Sequence, residues 1–259
     1  MDAPCVDRES PPLIPGIAFE RSAPQARPSS LGLRKIELLA GLPAAALDEL
    51  ATRCAWRTYR AGQHVISRAS RDRDLYLVVS GTVRVTTYAA SGRQTTFRDV
   101  DAGDWFGELA AIDGHPRSAD VVAVADALLA SMAPGVFWKL LRDQPTVAER
   151  LLARMSGLVR QLSERLVDLS TLDVQNRLIV ELLGLARAGR VEGNVAFIDP
   201  APKHADLASR VSTYREQVTR ELASLARTGI LERAGGALVV RDLARLARLA
   251  ASARGSGQG

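Results

Sequence analysis

The apolar pattern of this 259-residue chain changes period twice, and that change limits the folds open to it. From Ala55 to about Ala133, short β-prone runs alternate with turn residues. The runs are His64–Ile66, Leu75–Val79, Val83–Tyr88, Thr95–Val100, Val121–Ala125 and Ala127–Met132. Between them fall Gly62, Ser80-Gly81, Ser91-Gly92 and Asp101-Ala102-Gly103. Many short strands at regular spacing predict an antiparallel sandwich or barrel, with glycines taking positive φ at its corners. Upstream, Leu31 to Thr52 carries a helical pattern, and Leu42-Pro43 opens a second short helix within it.

From Gly135 the helical period returns. Val136–Arg142 is amphipathic, and Pro145 suits the first turn of a new helix. That helix carries Leu151, Met155, Leu158, Leu162, Arg165 and Leu169 at alternating spacings of four and three, the seam of a heptad pattern. Leu152, Val159 and Leu166 form an adjoining stripe. Two stripes exceed what one neighbour needs, so one is expected to cover the barrel and the other to meet a second copy. The seam of Leu151, Met155, Leu158, Leu162 and Leu169 is assigned to the second copy. Ser170-Thr171 should end the helix, and Asp173 should cap the next, which runs to Ala188. Gly189 and Gly193 then turn the chain. Helices over 203–210 and 213–228, a strand at 230–233, the Gly235-Gly236 turn and a strand at 237–240 make a winged helix-turn-helix. A last amphipathic helix runs over about 242–251. The fold class is therefore α+β, with a β-roll, a long helix and a C-terminal winged helix-turn-helix. Its divisions are a flexible leader (1–30), the β-roll with flanking helices (31–135), the long-helix region (136–170), the winged helix-turn-helix (171–241) and a C-terminal helix and tail (242–259).

The net charge is +5. Residues 170–259 hold thirteen Lys and Arg against nine Asp and Glu, so nearly all the excess lies in the last third. This suits a polyanion partner, although a solvated surface has the same balance. Two cysteines, Cys5 and Cys54, supply neither a disulfide framework nor a four-cysteine metal site. His64, His115 and His204 lack zinc-ligand spacing. No nucleophile–base pair, metal cluster or Walker loop is present, so neither catalysis nor a covalent cofactor is expected. No apolar run approaches the roughly 18 residues of a membrane span, and the opening MDAPCVDRESPPLIP has no signal-peptide pattern. A cytoplasmic protein without a membrane partner is expected.

Two motifs carry chemistry. The first runs Phe106-Gly107-Glu108-Leu109-Ala110 and, after a loop, Arg117-Ser118-Ala119. A glycine lets backbone approach a ligand, Glu108 can accept from a sugar hydroxyl, and Arg117 beside Ser118 suits a phosphate. Taken alone, an Arg and a Glu inside a barrel equally fit a structural salt bridge. The second is Arg215-Glu216-Gln217-Val218-Thr219-Arg220, which places residues 215, 216, 219 and 220 on one helix face. Arg can bond guanine and Glu can accept from cytosine, but intrahelical Arg–Glu pairing explains the same residues.

Strands, F-G-E-L-A, a loop and R-S-A together resemble the phosphate-binding cassette of cyclic-nucleotide-binding domains. With the long helix and the winged helix-turn-helix, residues 34–241 resemble the cyclic-AMP receptor/fumarate-nitrate-reductase regulator superfamily of bacterial transcription factors. The resemblance implies a jelly-roll (double-stranded β-helix) effector domain. It implies that Gly107 and Glu108 hold a ribose, with Glu108 on the 2′-hydroxyl, that Arg117 and Ser118 clamp a cyclic phosphate, and that Leu109 belongs to the same site. Leu162-Ser163 stands where the cyclic-AMP receptor has a Thr-Ser pair facing the purine, so weak selection between cyclic AMP and cyclic GMP is expected. By the same resemblance Arg215, Glu216 and Arg220 read a palindromic TGTGA-like site, while Lys203, His204, Tyr214 and Gln217 touch phosphates. The expected partners are a second copy, duplex DNA and RNA polymerase. Two alternatives remain: a regulator of this fold that binds DNA without a nucleotide or senses another ligand, and a nucleotide-responsive module acting on a partner protein.

Overall fold

The computed structural model describes residues 26–68, 70–88 and 94–255. Most of the expected leader, Cys5, the Ser91-Gly92 turn and the last four residues lie outside the described residues. The chain opens with α1 (Ser30–Leu33), a 3₁₀ turn (Glu37–Leu39) and α2 (Ala44–Arg53). Among the described residues eight strands follow: β1 (Ala55–Tyr59), β2 (His64–Ile66), β3 (Leu75–Ser80), β4 (Thr82–Tyr88), β5 (Gln94–Asp101), β6 (Trp105–Phe106), β7 (Asp120–Ala123) and β8 (Ala127–Met132). A short helix, α3 (Glu108–Asp113), interrupts them between β6 and β7.

The strands form two four-stranded antiparallel sheets, ordered β1-β8-β3-β6 and β2-β7-β4-β5. All eight place side chains in one core, including Tyr59, Ile66, Val78, Val83, Val100, Phe106, Val121 and Leu129. Strand β3 shows why its sequence lacks alternation. Tyr76 and Val78 enter the core between the sheets, whereas Leu75 and Leu77 join a second core under the helices. A strand covered on both faces needs apolar residues on both. The second core takes in Leu33, Ile36, Leu38, Leu47, Trp56, Met132 and Phe137, and the Trp56 indole donates to the Ala51 carbonyl at 2.9 Å.

Helix α4 (Pro134–Asp143) leads into α5 (Pro145–Thr171), both with proline in the first turn. Asp173 then caps α6 (Val174–Ala188), accepting from the Asn176 amide at 2.8 Å as its position predicts. Next come β9 (Arg190–Glu192) and β10 (Val195–Ile198), then α7 (His204–Arg210), α8 (Arg215–Arg227), β11 (Leu231–Ala234), β12 (Ala237–Val240) and α9 (Leu243–Gly255). The wing is larger than the expected hairpin: β9 and β10 join β12 and β11 in a third sheet. Val195–Ile198 is too short to show a period, so only the Gly193-Asn194 turn signalled that hairpin. Leu178, Leu182, Leu207, Val218, Leu225, Val240 and Leu246 pack this part around its own core.

The long helix corrects the expected seam. Leu151 is 5% exposed in the core under the helices, Met155 packs against that core, and Leu158 is half-buried. These three therefore face their own β-roll. Leu162 and Leu169 are exposed, as are Leu152, Val159 and Leu166. Leu151, Leu162 and Leu169 lie within about 20° of one another around a helix of 3.6 residues per turn, so Leu162 and Leu169 are exposed because the core under the helices reaches only as far as Met155, and Leu162 borders a cavity instead.

The tight connection between β3 and β4 carries a falsifiable consequence. Gly81 has φ +80, and a Cβ there would lie 2.2 Å from the Asp126 carbonyl oxygen. Gly81→Ala should cost about 2 kcal/mol or more in urea denaturation, combining left-handed strain with a backbone clash. A loss within about 0.5 kcal/mol would show that this connection relaxes freely.

Candidate functional site

The first site is built where β6 ends. Pairing of Tyr76 with Phe106 and of Leu77 with Trp105 fixes the strand, and the two aromatic rings of the first pair stack at 5.1 Å. Gly107 then turns at φ +87, and a Cβ there would lie 2.8 Å from both Arg117 Nη1 and the Asp74 carbonyl. The glycine is thus required by a close approach of side chain and backbone. Glu108 opens α3 and is 7% exposed.

Arg117 is 4% exposed. Its Nη1 donates to the Gly107 carbonyl at 3.0 Å, and its Nη2 donates to Asp72 Oδ2 at 2.7 Å and to the Asp74 carbonyl at 2.8 Å. The guanidinium also lies 5.6 Å from the centre of the Tyr76 ring. Its ion pair is with Asp72, and Glu108 Oε2 and Arg117 Nε are both buried without a partner among the described residues. A salt bridge between Arg117 and Glu108 therefore does not account for these residues. Burial alone would raise the Asp72 carboxyl. The Asp74 amide, Arg117 and the Tyr76 hydroxyl outweigh that effect and hold it below the usual value. Asp74 is raised, first by burial and then by Asp72.

These residues border a cavity of about 180 Å³. Gly107, Glu108, Leu109, Arg117 and Ser118 line it from the cassette. Phe97 and Arg98 of β5 and Leu158, Gln161, Leu162 and Arg165 of α5 line it as well. Ser163 is exposed, donates to the Val159 carbonyl at 2.9 Å and is not part of the lining. Asp72, Arg98, Gln161 and Arg165 were not anticipated. Asp72 stands 45 residues from Arg117, so no local pattern joins them. Arg165 did carry a signal, as a charged residue in an otherwise apolar seam.

The second site is the outer face of α8. Arg215, Glu216, Thr219 and Arg220 are exposed, while Val218, Leu222 and Leu225 are buried. Tyr214, just before the helix, is 66% exposed, and Lys203 is exposed at the start of α7. His204 Nδ1 lies 2.7 Å from Thr219 Oγ1. Burial, then Arg233 and Arg215, push this imidazole below its ordinary value. Gln217 is half-buried and accepts from the Thr213 hydroxyl at 3.0 Å. The α7–α8 turn is tight enough to place Ser212 at φ +56.

Comparison with known proteins follows the same division. Residues 56–144 match the cyclic nucleotide-binding domain, and residues 176–249 match the Crp-like helix-turn-helix domain. The cyclic AMP receptor protein of Thermus thermophilus is 33% identical over 194 residues, 75% of this chain and 87% of that protein. A CRP-like cAMP-activated global transcriptional regulator of Mycobacterium tuberculosis is 27% identical over 219 residues, 84% of this chain and 98% of that protein. A solved CRP/FNR-family transcriptional regulator of Thermus thermophilus superposes with a TM-score of 0.58 at 27% identity, over 76% of this chain and 99% of that one. Likeness at this level, spread across both the nucleotide-binding and the DNA-binding parts, means that the chain belongs to the cyclic-AMP receptor/fumarate-nitrate-reductase regulator family of transcription factors.

Proposed function

We propose that this chain is a homodimeric cytoplasmic transcription regulator whose affinity for DNA is set by a cyclic nucleotide in the β-roll cavity. The observation that carries this reading is the pair of buried, unpartnered polar atoms in the cassette, Glu108 Oε2 and Arg117 Nε. Buried polar groups are normally satisfied, and a ligand hydroxyl and a ligand phosphate are the groups these two lack. Glu108 accepts from the ribose 2′-hydroxyl, Arg117 and Ser118 hold the cyclic phosphate, and Gly107 and Leu109 let the sugar approach. The purine then lies toward Leu162, with Ser163 supplied by the second copy. Gln161 can both donate and accept, so either purine edge can be met. Cyclic AMP comes first on the names of the relatives, and cyclic GMP shares its ribose and phosphate. Calorimetric titration with both nucleotides tests the reading, which fails if neither binds.

The exposed α5 stripe of Leu152, Val159, Leu162, Leu166 and Leu169 supplies the dimer contact. Two copies then present two α8 helices to successive major grooves, about 34 Å apart. Arg215, Glu216 and Arg220 read base edges of a TGTGA-like palindrome, and Lys203, His204, Tyr214 and Gln217 position the phosphates. RNA polymerase is the further partner through which such a regulator acts. A nucleotide that binds one setting of the paired helices better than another shifts the population toward it.

Arg117→Lys keeps the charge but loses the planar fork, so nucleotide affinity should fall at least about tenfold in calorimetry while the protein stays folded. Unchanged affinity would remove Arg117 from the ligand site. Arg215→Ala should cost roughly 1–3 kcal/mol per half-site and relax the preference at one base pair. Lys203→Ala should weaken all sequences alike and lower the salt slope by about one unit. A base preference untouched by Arg215→Ala would show that α8 is not the reading helix. Leu166→Glu places a charge in the expected helix–helix contact and should give monomers in sedimentation. A normal dimer in this variant would place the interface elsewhere.

A further inference from the structure

The β-roll and the helix-turn-helix meet through polar contacts that neither site uses. Arg84 of β4 pairs with Asp99 of β5 at 2.7 Å and with Asp206 of α7 at 2.8 Å. Asp99 also takes Arg210 of α7, whose guanidinium reaches Glu181 of α6 at 3.3 Å. The buried hydroxyls of Thr96 and Ser209 share a hydrogen bond of 2.8 Å. These groups hold α7 against β5, but none of them lines the cavity.

Arg165 does both. It lines the cavity from α5, its Nη1 donates to the Phe97 carbonyl on β5 at 3.1 Å, and its Nη2 donates to the Arg210 carbonyl. Arg210 is the last residue of α7. A carbonyl there has no donor within its own helix and sits at the negative end of the peptide dipoles. Both acceptors are backbone carbonyls rather than carboxylates, so the contact is weaker than an ion pair and open to exchange. A guanidinium only donates, so acceptor atoms of a ligand compete with these carbonyls for it. Four residues separate Arg210 from Arg215, where α8 begins, so a shift at the end of α7 is carried directly into the DNA-reading helix.

We propose that Arg165 is the positioning residue through which occupancy of the cavity reaches the DNA-reading helix, because one side chain both walls the cavity and holds the C-terminal end of α7. This rests on the cyclic-nucleotide reading above. A bound base draws the guanidinium away from these carbonyls, the hold on the Arg210 carbonyl is released, and α7 and α8 take a different setting relative to β5.

The test uses the full chain as wild type, Arg165→Gln and Arg165→Lys. Affinity for a duplex carrying a TGTGA palindrome is measured without nucleotide and at saturating cyclic AMP, so that changes in nucleotide affinity do not enter. Amide exchange in α7 is measured without nucleotide. In Arg165→Gln the ratio of the two DNA affinities should move toward one by at least about tenfold, and the α7 amides should exchange faster while the strand amides of the β-roll do not. Arg165→Lys, which keeps a charge and can make one of the two bonds, should give an intermediate ratio. A wild-type ratio in Arg165→Gln overturns the proposal, and so does unchanged exchange in α7. If wild type binds no cyclic nucleotide, the reading it rests on fails, and the exchange arm still decides whether Arg165 holds α7.

Discussion

The buried guanidinium of Arg117 ties together three stretches of chain that are far apart in sequence. It joins the Asp72–Asp74 segment before β3, the Gly107 turn after β6 and its own position before β7. A buried cation is tolerated only when it is paired and hydrogen-bonded, and here a carboxylate and two carbonyls serve that need. The geometry of the cassette follows from it. Gly107 is glycine because Arg117 and the Asp74 carbonyl leave no room for a Cβ. Glu108 is held at the start of α3, with one oxygen unpartnered beside the cavity. The same buried contacts that anchor the strands therefore fix the orientation of the groups that line the cavity.

Beyond the cassette, β5 is the element on which the two ends of the molecule converge. Phe97 gives its carbonyl to Arg165, Arg98 lines the cavity, and Asp99 holds Arg84 and Arg210. Arg98 also bonds Asp104, which pairs with Arg154 of α5. Three consecutive residues thus face the long helix, the cavity and the helix-turn-helix. Allostery requires two sites and an element whose settings each ligand weighs differently. The α5–β5–α7 junction joins the cavity wall to the helix-turn-helix within one chain.

Much of this was readable in the sequence, for identifiable reasons. The strand runs between glycines, the Pro145 start of α5, the Asp173 cap and the α7–α8 pair all express local rules, and the structure follows them. The cassette was legible because Gly107-Glu108 and Arg117-Ser118 are close in sequence. What escaped depended on distance along the chain or on where packing stops along a helix. Asp72 becomes the partner of Arg117 only after the barrel closes. Leu151, Met155 and Leu158 belong to the seam by spacing, yet they lie toward their own β-roll because α5 packs there at its first turns. The β9–β10 hairpin is too short for its pattern to stand out. The charged contacts of Arg84, Asp99, Asp206 and Arg210 are tertiary, and each residue alone reads as an ordinary surface charge.

If a ligand in the β-roll cavity sets how α8 meets DNA, the affinity for DNA must change with occupancy of the cavity. Fluorescence anisotropy of a labelled TGTGA-palindrome duplex, titrated with the 259-residue chain at one fixed salt concentration with and without saturating cyclic AMP, is the measurement that decides this. The two dissociation constants should differ by at least about tenfold, a coupling free energy of about 1.4 kcal/mol. Equal constants, with cyclic AMP shown to be bound, would contradict it.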